Sequence, residues 1–307
     1  MSNDPHSPYQ ASSAGFEHDG IPGAPQGQGR WFTEPCDEAG TALSWRIEAK
    51  LHEERSDYQT IAIYQTTHFG RLMVIDGFVM VTTRDNFFYH EMLVHPAMFM
   101  HPDPKRVVVI GGGDCGTLQQ VLRHPGVERA HQIEIDPLVT DLAIEHFPEL
   151  AECRHDPRAT LTFEDGIAFM ARAEPGSIDI IIVDSTDPIG PAVGLYEVPF
   201  LRSCYEALGS DGILVQQSGS PFLHLDTELR PLWEATRRAG FTAVDPVCFP
   251  QPCYAAGWWS CTLASKRADN QSFREQDAAK RPFATRYYNE SIHRAALATP
   301  QFMLTGR

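Results

Sequence analysis

A seven-stranded, mostly parallel α/β sheet covered by helices on both faces, preceded by a small N-terminal β unit, is the fold this sequence predicts. Three observations predict it: β patterning without long helices before Pro104, strict alternation of apolar strand segments with helix-period segments after it, and a glycine-rich turn where that alternation begins. Residues 1–30 are rich in Gly, Pro, Ser and Gln and poor in large apolar side chains, which predicts a disordered tail. From residue 31 to 104 the pattern is mainly β. Gln59–Gln65 alternates loosely, and Arg71–Ile75 and Phe78–Val81 flank Asp76-Gly77, a hairpin turn pair. A short helix carries Asn86–Met92. From residue 105 to 307 the chain reads as one larger domain. Strand segments fall at Arg106–Ile110, His131–Ile135, Thr160–Glu164, Ile178–Asp184 and Gly212–Gln217. Helical segments lie between or after them at Thr117–His124, Pro137–His146, Ile167–Arg172, Val198–Leu208 and Asp226–Arg238. Such alternation means parallel strands with both faces buried. Ala243–Phe249 and Trp258–Ala264 follow with no helix between them, so they form a hairpin and make one of the seven strands antiparallel.

The 307 residues carry a formal net charge of −15, which speaks against nucleic acid or an anionic membrane surface as the main partner. Seven cysteines form no C-x-x-C pair, as expected of reduced thiols in a cytoplasmic protein. The 13 histidines show no metal-ligand spacing, so no metal is expected. A basic segment leading into an apolar one is missing from the N-terminus, and no apolar run approaches the roughly 20 residues of a membrane span.

Ile110-Gly111-Gly112-Gly113-Asp114-Cys115-Gly116 ends the first strand of the large domain and opens a helix. Glu134 and Asp136 lie eighteen and twenty residues beyond Gly116, at the end of the next strand. By spacing this is a dinucleotide fingerprint, in which glycines let the backbone approach a ligand and the acidic residue binds ribose hydroxyls. Charge selects against a pyrophosphate. Asp114 stands where that anion would lie, and two like charges at ~4 Å repel by about 4 kcal/mol at an effective dielectric near 20. A nucleoside carrying a sulfonium and an ammonium reverses the sign, so the loop favours an adenosyl-sulfonium ligand over a nicotinamide dinucleotide. Asp165-Gly166 follows the third strand at the same rim, where the carboxylate can accept from an adenine amino group, cap the next helix, or both.

Asp184-Ser185-Thr186-Asp187-Pro188-Ile189-Gly190-Pro191 follows the fourth strand. Asp-Pro and Gly-Pro are turn dipeptides, so a plain turn would account for the segment alone. Together with Asp114, Glu134 and Asp165 at neighbouring strand ends, it describes a pocket lined with negative charge. Clustered anions are costly without a cationic partner, which points to a polycationic substrate.

The ordered set of motifs resembles the spermidine synthases. The matching strings are Trp31-Phe32-Thr33-Glu34, Tyr58-Gln59, Gly70-Arg71 leading to Asp76-Gly77, and Arg84 through Met92. They continue with Gly111–Gly116, Ile133–Asp136, Glu164-Asp165-Gly166 and Asp184–Pro191, then Gln217, Tyr254, Arg286-Tyr287-Tyr288-Asn289 and His293. The resemblance covers roughly residues 31–303. It implies a class I methyltransferase-like Rossmann domain with a small N-terminal β domain, assembled as a homodimer or homotetramer in the cytoplasm. It also implies transfer of an aminopropyl group from decarboxylated S-adenosylmethionine, as co-substrate, to putrescine. By motif match, Gln59, His90, Asp114, Glu134, Asp165, Gly166 and Pro191 would line the donor site. Tyr89, Asp184, Asp187, Gln217 and Tyr254 would line the diamine channel, with Asp184 in the catalytic position. Two departures stand out. Cys115 replaces a glycine of the family's loop, and Cys253-Tyr254-Ala255-Ala256-Gly257 differs from its T-Y-P-S-G. The second leaves spermidine or cadaverine open as the acceptor. A methyltransferase, a nicotinamide-dependent dehydrogenase and a non-catalytic polyamine-binding protein are the remaining readings. The Asp184–Asp187 pair and the N-terminal β unit disfavour the first, Asp114 the second, and the intact Tyr89, Asp184 and Asp187 the third.

Overall fold

The strand and helix signals resolve into two sheets in a computed structural model that describes residues 14–19, 29–37 and 39–305. The first sheet is an antiparallel meander of β1 (Phe16–Asp19), β2 (Arg30–Cys36), β3 (Thr41–Arg55), β4 (Thr60–Thr66), β5 (Arg71–Ile75) and β6 (Phe78–Thr82), paired in chain order. Ile75 sits opposite Phe78, so Asp76 and Gly77 alone turn the chain, both at positive φ (50° and 90°). That geometry matches the right-handed twist of the flanking strands and is why Asp-Gly suits the position.

Strand β1 corrects the expectation of an unstructured tail over residues 1–30. Phe16–Asp19 pairs with Arg30–Thr33, while residues 1–13 and 20–28 lie outside the described part. Glu17 secures the strand by ion pairs to Arg30 and Lys50 and accepts from the Tyr64 hydroxyl at 3.0 Å. An edge strand held by backbone pairing and a few ion pairs has no large apolar face, so composition does not reveal it.

Helix α1 (Asn86–Met100) is longer than the Asn86–Met92 segment read from the sequence and runs through Pro96. It also belongs with the large sheet rather than with the β region in which it was placed, since Met92, Leu93 and Phe99 share a core with Val107, Ile180 and Val215. The large sheet is built from β7 (Arg106–Gly111), α2 (Gly116–Leu122), β8 (Arg129–Glu134), α3 (Pro137–His146), α4 (Pro148–Ala151), β9 (Ala159–Phe163), α5 (Gly166–Ala171), β10 (Ile178–Asp184), α6 (Val198–Ala207), β11 (Leu208–Gln217), α7 (Arg230–Ala239), β12 (Ala243–Pro250) and β13 (Trp258–Ser265). Its seven strands lie in the order β12-β13-β11-β10-β7-β8-β9, with β13 antiparallel to both neighbours and the rest parallel. This is a class I methyltransferase-like Rossmann domain. Along β10, Ile180 and Ile182 pack toward α1 and α2, whereas Ile181 and Val183 pack toward α6 and α7, the period-two division of a strand buried on both faces. Among the described residues no helix is long and apolar enough to cross a membrane.

The chain runs outward from β7 through β8 to β9, then returns to the other side of β7 as β10, so a crevice opens at the carboxyl ends of β7 and β10. Gly111 pairs with Asp184 across these strands, and the Gly112 N–H donates to the Asp184 carbonyl at 2.7 Å. Two glycines are dictated by this closeness. A Cβ on Gly111, at φ 82°, would lie 2.2 Å from the Asp184 carbonyl oxygen, and one on Gly116 would lie 2.1 Å from His90 Cε1. The small sheet closes the crevice from above, with Ile61, Ile63, Met73 and Ile75 packed on Val139, Leu142, Phe147 and Leu150 of α3, α4 and the residue joining them. The last elements, α8 (Glu275–Ala279), α9 (Glu290–Leu297) and α10 (Gln301–Leu304), follow β13. The segment between α8 and α9 anchors α1: buried Glu91 accepts the N–H groups of Arg286, Tyr287 and Tyr288, each at 2.8 Å.

Cys115 caps α2 in the left-handed conformation, φ 65°, with its side chain fully buried. A side chain costs about 1–2 kcal/mol there. Cys115→Ala keeps that cost and loses the sulfur, whereas Cys115→Gly loses both. We expect the glycine variant to be the more stable of the two by about 1 kcal/mol in urea unfolding.

Candidate active site

The turn between β7 and α2, the ends of β8, β9 and β10, and helix α1 all deliver carboxyl or aromatic side chains to one cleft. It consists of two joined cavities of about 1090 and 860 Å³, counted with their open mouths. Met80, Tyr89, Ser185, Thr186 and Tyr254 border both and form the neck. The larger cavity is lined by Gln59, His90, Asp114, Glu134, Asp165, Gly166 and Pro191, together with Asp184. The smaller is lined by Asp187 and Gln217. The residues expected at the donor site and in the diamine channel therefore all line this cleft, whereas Asp136 and His293 do not.

The carboxyls are held by donors rather than by salt bridges to Lys or Arg. Asp114 Oδ1 accepts the Gly116 N–H at 2.8 Å and its Oδ2 faces His90 Nε2 at 3.1 Å. Burial opposes a charge on His90, but the carboxylates of Asp114, Asp184 and Glu91 together outweigh it and the imidazole is held above its usual range. Glu134 Oε1 accepts the Asp136 N–H at 2.9 Å, leaving Oε2 toward Gly113. Burial pushes this carboxyl up from 4.5 to about 7. Gln59 donates to Asp136 Oδ2 at 2.9 Å and so ties β4 to the end of β8. Asp165 caps α5, accepting the Ile167 N–H at 2.7 Å, and presents its remaining lone pairs to the cavity rim.

Asp184 lies at the floor. Oδ1 accepts the Tyr89 hydroxyl at 2.7 Å and Oδ2 accepts the Thr117 hydroxyl at 2.6 Å. Burial and the nearby Asp114 charge raise this carboxyl above its ordinary range, while His90, Thr117 and Tyr89 oppose them. Burial likewise raises Asp187, against His224 and a 3.3 Å hydrogen bond from Gln217. Gln217 is itself oriented by Tyr196, whose hydroxyl accepts at 2.7 Å, and by the Trp259 indole, which donates at 3.2 Å. The Tyr254 hydroxyl donates to the Met80 carbonyl at 2.5 Å, so this residue gives the neck an aromatic wall. His90, Asp114 and Asp184 offer ligand atoms all within 4.8 Å of one another, room for one small positive charge.

Several contributors escaped the sequence reading. Glu34 on β2 and Glu228 before α7 line the smaller cavity opposite Asp187. Glu34 accepts the Val79 N–H at 2.6 Å, and burial raises it from 4.5 to about 7. Thr117, Tyr196 and Trp259 act on Asp184 or Gln217 from other elements, and only the fold brings them together. Glu34 alone left a trace, as a carboxylate within the Trp31–Glu34 string. In all, the larger cavity has four carboxyls (Asp114, Glu134, Asp165 and Asp184) and the smaller three (Glu34, Asp187 and Glu228), and among the described residues neither is lined by Lys or Arg.

Comparison with known proteins gives a consistent result. Residues 86–275 match the family model for the spermine/spermidine synthase domain, and residues 30–83 match that for the spermidine synthase tetramerisation domain. The chain is 52% identical over 273 residues to a polyamine aminopropyltransferase of Halorhodospira halophila, covering 89% of this chain and 98% of that one. It is 55% identical over 272 residues to one from Alkalilimnicola ehrlichii, covering 89% and 95%. Among solved structures, a spermidine synthase in complex with the transition-state analogue AdoDATO superposes with a TM-score of 0.85 at 34% identity, covering 89% of this chain and 92% of that one. The spermidine synthase of Thermotoga maritima does so with 0.83 at 33%, covering the same shares.

Glu34 and Glu134 hold their protons more tightly folded than unfolded, so their stabilisation is complete below about 4.5 and is lost as pH rises through about 7. Between pH 5 and 8 these two carboxyls should therefore pull the melting temperature of the unliganded protein down, while His124 and His293, held to about 3 by burial, push it up as pH rises toward 6.5. Glu34→Gln should remove one of the downward contributions, so the melting temperature of the variant relative to the parent should rise with pH in a series of thermal melts.

Proposed function

The chain belongs to the spermine/spermidine synthase family, and on that premise we propose that it transfers the aminopropyl group of decarboxylated S-adenosylmethionine to putrescine, giving spermidine and methylthioadenosine. It is a transferase, a polyamine aminopropyltransferase. The observation that carries the finer reading is the charge of the cleft: seven carboxyls and, among the described residues, no Lys or Arg. Such a lining suits a sulfonium donor and a diammonium acceptor, and it repels phosphates.

In this reading the adenosine fills the larger cavity. Glu134 Oε2 accepts from the ribose hydroxyls, Asp165 from the adenine amino group, and Gln59, Gly166 and Pro191 complete the walls. The sulfonium and the aminopropyl ammonium lie near Asp114, which His90 orients. The diamine threads the neck between Tyr89 and Tyr254 into the smaller cavity, where Asp187, oriented through Gln217, takes the distal ammonium with Glu34 and Glu228 opposite. A sulfonium departs without acid assistance, so the difficulty lies with the nucleophile. An alkylammonium has a pKa near 10 and a free aspartate ~3.9, a gap of about six units or roughly 8 kcal/mol. Burial and Asp114 raise Asp184, and the neighbouring sulfonium and loss of water lower the amine, so the gap narrows from both sides. In-line placement of amine, carbon and sulfur supplies the rest. The match of residues 30–83 to a tetramerisation domain supports a homotetrameric assembly.

Asp184→Asn should lower kcat by about 10²–10⁴-fold, the usual worth of a general base, and leave methylthioadenosine binding nearly intact by calorimetry. Near-normal turnover in that variant would remove Asp184 from the role of base.

A further inference from the structure

Thr117 stands in the first turn of α2, fully buried, and the only hydrogen bond its side chain makes among the described residues is to Asp184 Oδ2, at 2.6 Å. Tyr89, on a different helix, binds the other oxygen at 2.7 Å. The carboxylate is thus gripped from two sides by hydroxyls whose own positions are set by α1 and α2. We propose that Thr117 is a positioning residue for the transfer: with Tyr89 it fixes the Asp184 carboxylate so that a free lone pair meets the ammonium proton of the acceptor. The proposal rests on the reading of Asp184 as the base.

A β-branched residue is no better than average in a helix, and a buried hydroxyl must find an acceptor, so local structure does not call for threonine here. Its chemistry suits the carboxylate. A hydroxyl donating to a carboxylate favours the ionised form, which is the form that can accept a proton. The charged and titratable groups facing Asp184 divide into opposing sets. Asp114 from the β7–α2 turn and Glu134 from β8 disfavour its charge, as burial does; His90 and Tyr89 from α1 favour it, and Tyr254 from the β12–β13 loop borders the same cavity as a neutral phenol. Thr117 adds a second donor to the favouring set. Without it, one oxygen of a buried carboxylate loses its donor and the group is free to rotate about a single remaining tether.

The test compares Thr117→Val, which keeps the shape and removes the hydroxyl, with Thr117→Ser, which keeps the hydroxyl and removes a methyl group. In Thr117→Val the acid limb of kcat/KM for putrescine should move about one unit to higher pH, and kcat near neutrality should fall about tenfold. KM for decarboxylated S-adenosylmethionine should stay within about twofold, since Thr117 is not among the residues that line the larger cavity. Thr117→Ser should retain both the wild-type profile and the wild-type kcat. An unmoved acid limb with unchanged kcat in Thr117→Val, or equal impairment of the serine variant, would overturn the proposal. Should the valine variant fail to fold, Thr117→Ala provides the same readings. Asp184→Asn separates the two levels of inference. If it is inactive while Thr117→Val behaves as wild type, only the role of Thr117 falls; if it remains active, the reading of Asp184 falls and takes this one with it.

Discussion

Negative charge enclosed in a cleft whose described lining offers histidine but no Lys or Arg is the condition on which the rest of this molecule depends. An ion taken out of water loses several kcal/mol of solvation unless a partner replaces it. Here Asp114, Glu134, Asp184, Asp187 and Glu34 converge on one cleft whose described lining has no Lys or Arg. The protein meets part of that cost with backbone N–H groups, hydroxyls and His90, and part by letting carboxyls keep their protons, as the rise of Glu34 and Glu134 to about 7 indicates. What remains is an affinity for positive charge, which the proposed cationic substrates would satisfy. A polyamine transferase needs this property, because both of its substrates are cations and the nucleophile must shed a proton inside the site.

The scaffold serves that condition by bringing backbone very close to backbone. Gly111 and Gly112 admit the end of β10 against the end of β7, which sets Asp184 beside the turn that carries Asp114. The missing side chain of Gly116 makes room for His90, and the three N–H bonds to Glu91 hold the helix that presents both His90 and Tyr89. The N-terminal sheet, docked on α3 and α4, contributes Met73, Ile75 and Met80 to the lining of the cleft, and Glu34 and Gln59 line it as well. Electrostatic pre-organisation here follows from packing.

What could be read from the sequence was whatever is local. The glycine turn, Glu134 at a fixed distance beyond it and the Asp184–Asp187 pair advertise themselves by spacing, and the count of seven strands with one antiparallel follows from the alternation and the final hairpin. The left-handed Cys115 was foreseeable from the glycine it replaces. Thr117, Tyr196 and Trp259 were not foreseeable, because each takes its meaning from a partner far along the chain: Thr117 from Asp184, 67 residues away, and Trp259 from Gln217, 42 away. Phe16–Asp19 was missed for the opposite reason, being a strand stabilised by its neighbours and not by its own pattern. The placement of α1 erred because its first residues follow the small sheet in sequence while its apolar side chains belong to the core of the large one.

The most direct measurement is the affinity of decarboxylated S-adenosylmethionine relative to that of methylthioadenosine, determined by calorimetry from pH 5 to 8. The two share the nucleoside, and the donor's charges do not titrate over that range, so any change in the ratio reports the protein's own carboxyls and His90, all of which make the cleft more negative as pH rises. A preference for the cation that grows as the pH rises is what the anionic cleft predicts. A ratio that stays flat, or that favours the neutral nucleoside throughout, would contradict it.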